Sequence, residues 1–109
     1  MAREFIMTAV FDRLWNGLGL TDEALRNFQS KLIMNPVAGD VIQGTNGARK
    51  IRFALPNTGK SGGIRIIYTD IAHSQQIHLL LCYSKGKQDN LTPEQKKQVK
   101  MLIQTLKEA

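Results

Sequence analysis

Between Arg49 and Thr69 the chain reads RKIRFALPNTGKSGGIRIIYT, a stretch with five basic residues and no acidic one. Its alternation constrains the fold more than any other segment. Side chains of a strand point to opposite faces with a period of two. A strand from Arg49 to Leu55 therefore puts Ile51, Phe53 and Leu55 on one face and Lys50 and Arg52 on the other. Pro56, Asn57, Gly59, Gly62 and Gly63 supply turn chemistry, and the return strand places Ile64, Ile66 and Tyr68 on one face with Arg65 opposite. If both aliphatic faces meet one core, Lys50, Arg52 and Arg65 converge on the outer surface. Three fixed cations on adjacent strands suit a phosphodiester, while the blander use of such a surface is a solvated face that discourages edge pairing.

The same stretch contains ALPNTGKS, from Ala54 to Ser61, a loose match to a nucleotide-phosphate loop. A working loop of that type opens a helix whose N-terminal amides hold phosphate. Here the Lys-Ser pair leads through Gly62 and Gly63 into the strand pattern GIRIIYT, so nucleotide binding is not expected. The net charge of +6 is uneven: residues 1 to 40 carry four basic and five acidic side chains, residues 41 to 109 eleven and four. Such asymmetry points to an anionic partner, nucleic acid before an acidic protein. A membrane surface ranks behind both, because no helix joins a basic face to exposed bulky apolar residues. The 109 residues suit a single domain, and the absence of a membrane-length apolar run or a secretory leader pattern makes the cytoplasm the expected location.

The single cysteine, Cys82, falls within the apolar run IHLLLCY and reads as a buried strand thiol. A nucleophilic role needs an oriented base, and His78 on the same strand lacks a third group. His73 and His78 make no metal motif, and no metal or other cofactor is expected.

The remaining pattern gives an α+β order. Residues 3 to 9 suggest a short strand. Phe11, Leu14, Trp15 and Leu18 follow helical spacing up to Gly17 and Gly19, with Trp15 read as core. Thr21 caps a second helix carrying Leu25, Phe28 and Leu32, stopped by Asn35-Pro36, so a helical hairpin is expected near the N-terminus. After the basic hairpin, Gln76 to Ser84 has apolar residues on both faces, as a central strand covered on both sides should. Thr92-Pro93-Glu94-Gln95 is a capping box for a closing helix with Val99, Leu102, Ile103 and Leu106 on its apolar stripe. Lys96, Lys97 and Lys100 lie mostly off that stripe and read as solvated helix surface. The expected sheet is antiparallel, with three to four strands.

The element order, together with the strings LIMNPVAGDVIQGTNGARKIRFA, GGIRIIY and LLCYSKGKQDNLTPEQKKQVKML, resembles the RelE/HigB-type toxins of bacterial type II toxin-antitoxin modules, and within them the HigB-like branch. The resemblance implies a RelE-like fold and an endoribonuclease that enters the A site of the 70S ribosome and cuts the mRNA codon there. It also implies a cognate antitoxin, usually with a helix-turn-helix domain, through which alone the complex meets operator DNA. Family site residues carry over to Lys50 and Arg52 on the central strand and to Arg65 on the next. Lys50 or Arg52 would move a proton and stabilise charge, Lys50 being the better base because arginine stays protonated, and Arg65 would hold the scissile phosphate. Where RelE carries an arginine and then a tyrosine after the last strand, this sequence has Gly86 and Thr92, leaving Lys85, Lys87 or Tyr83 as substitutes. Lys85 joins the expected catalytic group. Arg49, Lys60, Tyr83 and Lys87 are expected to contact RNA. A gyrase-poisoning toxin of the ParE type shares the fold but lacks this basic set; an inactive relative that only binds RNA or its antitoxin is the other alternative.

Overall fold

The computed structural model describes residues 3–54 and 63–109. Strand β1 (Glu4–Met7) ends at Thr8, whose backbone is extended and whose hydroxyl accepts the Phe11 amide at 2.9 Å, starting helix α1 (Ala9–Gly17). An N-cap of this kind contributes ~1 kcal/mol. The chain turns over Leu18–Leu20, with Gly19 in the left-handed region at φ 75°, and Thr21 caps helix α2 (Asp22–Met34) by accepting the Ala24 amide. Trp15 is 2% exposed and donates its indole N–H to the Thr21 carbonyl, so the core residue also fixes the turn between the helices. α2 stops ahead of Pro36, as the residue before a proline disfavours helix.

The sheet follows: β2 (Asp40–Val41), β3 (Arg49–Phe53), β4 (Ile64–Ile71) and β5 (Gln76–Ser84), then helix α3 (Pro93–Glu108). Among the described residues the sheet has five strands in the order β1-β5-β4-β3-β2. It therefore exceeds the three to four strands expected from the alternation. The two-residue β2 adds one edge, and β1 adds the other by running parallel to β5, with Phe5 opposite Ile77 and Met7 opposite Leu79. A parallel neighbour needs a long crossover, which the chain from α1 to β4 provides.

β5 is buried at every position from Ile77 to Tyr83. Its register against β4 slips once: Ile67 faces Leu81 but Tyr68 faces Leu79, leaving Leu80 as the extra residue of a bulge. The slip reverses the alternation, so Leu80 and Leu81 both join the α3-side core while Ile77, Leu79 and Cys82 share the other. The first core joins Phe11, Trp15, Phe28 and Leu32 of the N-terminal helices to Phe53, Ile66 and Tyr68. The second packs Val99 and Ile103 of α3 on Ile67, Leu80 and Leu81. The capping box is formed as expected: Thr92 accepts the Gln95 amide and the Gln95 side chain accepts the Thr92 amide.

Candidate functional site

Register places the basic residues on the α3-side face of the sheet. Arg52 of β3 stands directly opposite Arg65 of β4, and Arg65 opposite Tyr83 of β5, while Lys50 lies two residues along β3 on the same face. α3 covers Ile67 and Leu81 in the next row, so the basic corner is where its cover ends. Like charges placed directly opposite each other oppose folding unless something neutralises them. Gly63 gives the Arg52 side chain room, because a Cβ there would lie 3.1 Å from Arg52 Nε and push it aside by a few tenths of an ångström.

Arg65 is half buried, and its Nη1 is closed off from solvent without a hydrogen-bond partner among the described residues. A guanidinium has five donors in a fixed fork. Leaving one buried and unpaired is costly, so this nitrogen is open to an acceptor from beyond the described residues. Tyr83, 7% exposed, donates its hydroxyl to the Asp89 carbonyl at 3.2 Å. Burial raises its pKa, with nearby Arg65 lowering it and Asp89 raising it in smaller measure. The phenol therefore stays protonated at neutral pH and ties down the loop after β5. Lys85 and Lys87 are exposed on that loop; the Lys85 amide reaches the Gly63 carbonyl at 3.4 Å and the Lys87 amide the Ser84 carbonyl at 3.1 Å. These bonds hold the start of β4 and the lysine-bearing turn together.

Lys50 Nζ donates to Asn90 Oδ1 at 3.0 Å. Beside this pair lies a cleft of about 210 Å³ lined by Ile42, Lys50, Asn90, Leu91 and Lys96. Neither Asn90 nor Lys96 stands out in the sequence as a site residue. For Lys96 a signal exists: it precedes Val99 by three and Ile103 by seven, which is the buried stripe of α3. Asn90 has no such signal, being placed by a loop.

Arg49 is separated from the group. It pairs with Tyr68 on the opposite face, where its Nη1 donates to the Val37 and Gly39 carbonyls at 3.2 and 2.7 Å. Its alternation with Ile51 and Phe53 already places it there, so it pins the loop before β2 instead of extending the basic corner. Lys60 lies outside the described residues, as does most of the ALPNTGKS segment. β4, a strand, begins directly after Gly63, so the loose phosphate-loop match does not open a helix.

The other reactive side chains are elsewhere and occupied structurally. Burial pushes the Cys82 thiol up to about 12, leaving it unreactive. His78 is 7% exposed, with Nε2 3.2 Å from Gln76 Oε1. No cluster of three metal-ligating side chains occurs among the described residues. A larger groove of about 640 Å³ runs along α2 between Leu20, Lys31 and Phe53, on the opposite side of the sheet from Arg65. It is mostly apolar and brings together no chemical group comparable to the basic corner. Among the described residues no helix is long and apolar enough to cross a membrane.

No family model matches the sequence. Among solved structures, the chain is similar to the toxin RelE of E. coli, determined in the free state as a double arginine-to-alanine mutant. The TM-score is 0.59 at 16% sequence identity, covering 82% of this chain and 90% of that one. The α+β arrangement of two N-terminal helices, an extended sheet and a C-terminal helix is thus a RelE-like fold.

Proposed function

We propose that this chain is the toxin of a HigB-like type II toxin-antitoxin module, a ribosome-dependent endoribonuclease that cuts mRNA codons in the A site of the 70S ribosome. The observation that carries this reading is the opposed Arg52–Arg65 pair, with an Arg65 Nη1 that is buried and has no partner among the described residues. Such a pair is suited to a phosphodiester, whose nonbridging oxygens accept from two guanidinium forks at once. The RelE-like fold and the strings around Arg52 and Arg65 supply the context.

Cleavage needs the 2′-hydroxyl deprotonated, the pentacoordinate phosphorane stabilised and the leaving 5′-oxygen protonated. The 2′-oxygen attacks phosphorus, the P–O5′ bond breaks, and a 2′,3′-cyclic phosphate and a 5′-hydroxyl result. Arg65 and Arg52 stabilise the charge that develops on the nonbridging oxygens. Lys50 accepts the 2′-hydroxyl proton, since a lysine can exist as the neutral amine and an arginine cannot. Lys85, on the turn tied to Gly63, supplies the proton to the 5′-oxygen, and Lys87 contacts the RNA. Burial raises the Tyr83 pKa, which disfavours it as the base, and its hydroxyl ties down the loop beside Arg65. Metal ions have no part in this scheme. An antitoxin would silence the site, with operator DNA reached only through that partner.

The test is induction in a bacterium without antitoxin, beside an Arg65→Ala, Lys50→Ala double variant, with mRNA 5′ ends mapped as growth is followed. Growth arrest with new cuts inside translated codons, both lost in the variant, is the expected result. Arrest without RNA cuts would move the target to gyrase, and absence of arrest would leave a binding protein without activity.

A further inference from the structure

We propose that the cleft between β3 and α3 is a second phosphate subsite, in which Lys96, beside the Lys50 amine, holds the phosphate adjacent to the one on Arg65. The inference rests on the proposed RNA cleavage and adds to it a track for the substrate strand.

Three observations converge on the cleft. First, it is lined by lysines from two elements, Lys50 of β3 and Lys96 of α3, with Ile42 and Leu91 as apolar walls that lower the local dielectric and strengthen the attraction of the Lys96 ammonium for an anion. Lys50 Nζ is engaged by Asn90, and the Lys96 ammonium, which has no acceptor of its own, is the cation left for the phosphate. Second, the frame around these lysines is cross-braced. The Gln88 side-chain amide donates to the Asn90 carbonyl at 3.0 Å and to Gln95 Oε1 at 2.9 Å, and the same Gln95 oxygen accepts the Thr92 amide that opens α3. Asn90 and the first turn of α3 are therefore one unit, and Lys96 sits on that turn with its amide bonded to the Thr92 carbonyl at 2.9 Å. Such bracing resembles the preorganisation of a binding site more than a free helix surface. Third, Lys50 and Arg52 are two residues apart on one strand face, ~6.7 Å along the strand. That step is of the order of the spacing between neighbouring phosphates of a single strand.

The contrast with Lys97 and Lys100 is direct. Both are exposed, whereas Lys96 is half buried and lines the cleft. Lys97 therefore controls for loss of one charge from the same helix.

The experiment measures binding of the purified full chain to a 2′-O-methyl RNA pentamer, which lacks the attacking hydroxyl and is not cut. A set of pentamers then replaces each phosphate in turn by a neutral methylphosphonate. For the wild type, neutralising the linkage held in the cleft weakens binding about tenfold, the size of one charge-assisted hydrogen bond. In Lys96→Ala that one substitution loses its effect to within about twofold, whereas Lys97→Ala responds to every linkage as the wild type does. Arg65→Ala weakens the unmodified pentamer. If Lys96→Ala responds like Lys97→Ala while Arg65→Ala still weakens binding, the second subsite is wrong and the proposed cleavage site stands. If Arg65→Ala also changes nothing, both are overturned.

Discussion

The two ends of β4 meet arginines in opposite situations. Near its C-terminal end, Asp70 accepts Arg3 through both carboxylate oxygens, Nε to Oδ1 at 2.9 Å and Nη2 to Oδ2 at 3.2 Å. Near its N-terminal end, Arg65 faces another arginine and keeps a buried nitrogen unpaired among the described residues. One arginine fastens β1 to the sheet; the other, on the proposed reading, gives up sheet stability for an affinity for anions. A strand can serve both purposes because its two ends lie under different cover.

Arg65→Met should break this contrast most strongly. It keeps most of the side-chain volume, ends the like-charge opposition with Arg52 and removes the unpaired nitrogen, so the melting temperature should hold or rise. Cleavage of translated mRNA should fall by about 10²–10³-fold, as when a donor to a developing oxyanion is deleted. Thermal melting and 5′-end mapping on the same variant check both halves. A variant that loses activity only because it unfolds would sink the argument that Arg65 belongs to the site and not to the scaffold.

The opposite face offers the next test, since there the polar groups are satisfied within the chain. Tyr68 is fully buried; its hydroxyl accepts the Gly39 amide and donates to the Pro36 carbonyl, both at 2.9 Å. Gly39 is required at that contact because a Cβ would come within 2.9 Å of both the Lys50 carbonyl and the Tyr68 ring. Tyr68→Phe leaves the buried Gly39 amide without its acceptor and should cost ~2 kcal/mol in denaturant titration. The pentamer affinity should change little, because this network and Arg49 lie on the far side of β3.

How much of this contrast is legible in the sequence depends on what fixes each residue. The faces of Lys50, Arg52 and Arg65 are readable because strand alternation is local and their apolar neighbours are unambiguous. The same alternation places Arg49 with Ile51 and Phe53, on the face away from Lys50, Arg52 and Arg65. The Leu80 bulge was not: an apolar run shows burial on both faces without showing where its register slips. β1 also lay beyond reach as a parallel partner, because pairing over more than sixty residues leaves no mark on either strand. Asn90 is positioned by Gln88 and by the cap of α3, a tertiary arrangement that no spacing announces.

Asp70→Asn sharpens the comparison at the paired end. The pair is partly buried, with side-chain exposures of 19% for Arg3 and 11% for Asp70. Loss of the carboxylate charge should cost ~1 kcal/mol, above a fully exposed pair and below a buried network. Cleavage should be unaffected, and amide exchange in β1 should quicken before that in β3.

The smallest effect concerns pH and belongs to the same end of the sheet. His78 lies between Ile6 of β1 and Thr69 of β4, facing Gln76, and burial lowers its pKa while Glu4 opposes this more weakly. A histidine depressed in the folded state takes up its proton more readily when unfolded. Its contribution to stability is therefore complete above the unfolded pKa of ~6.5 and declines as pH falls through that value. Denaturant titrations of wild type and His78→Gln should run parallel from pH 8 to 7, then converge or cross below pH 6.5 as only the wild type pays this penalty. Arg65→Met should leave that pH dependence intact, because the protonation belongs to the paired end of the sheet and not to the basic corner.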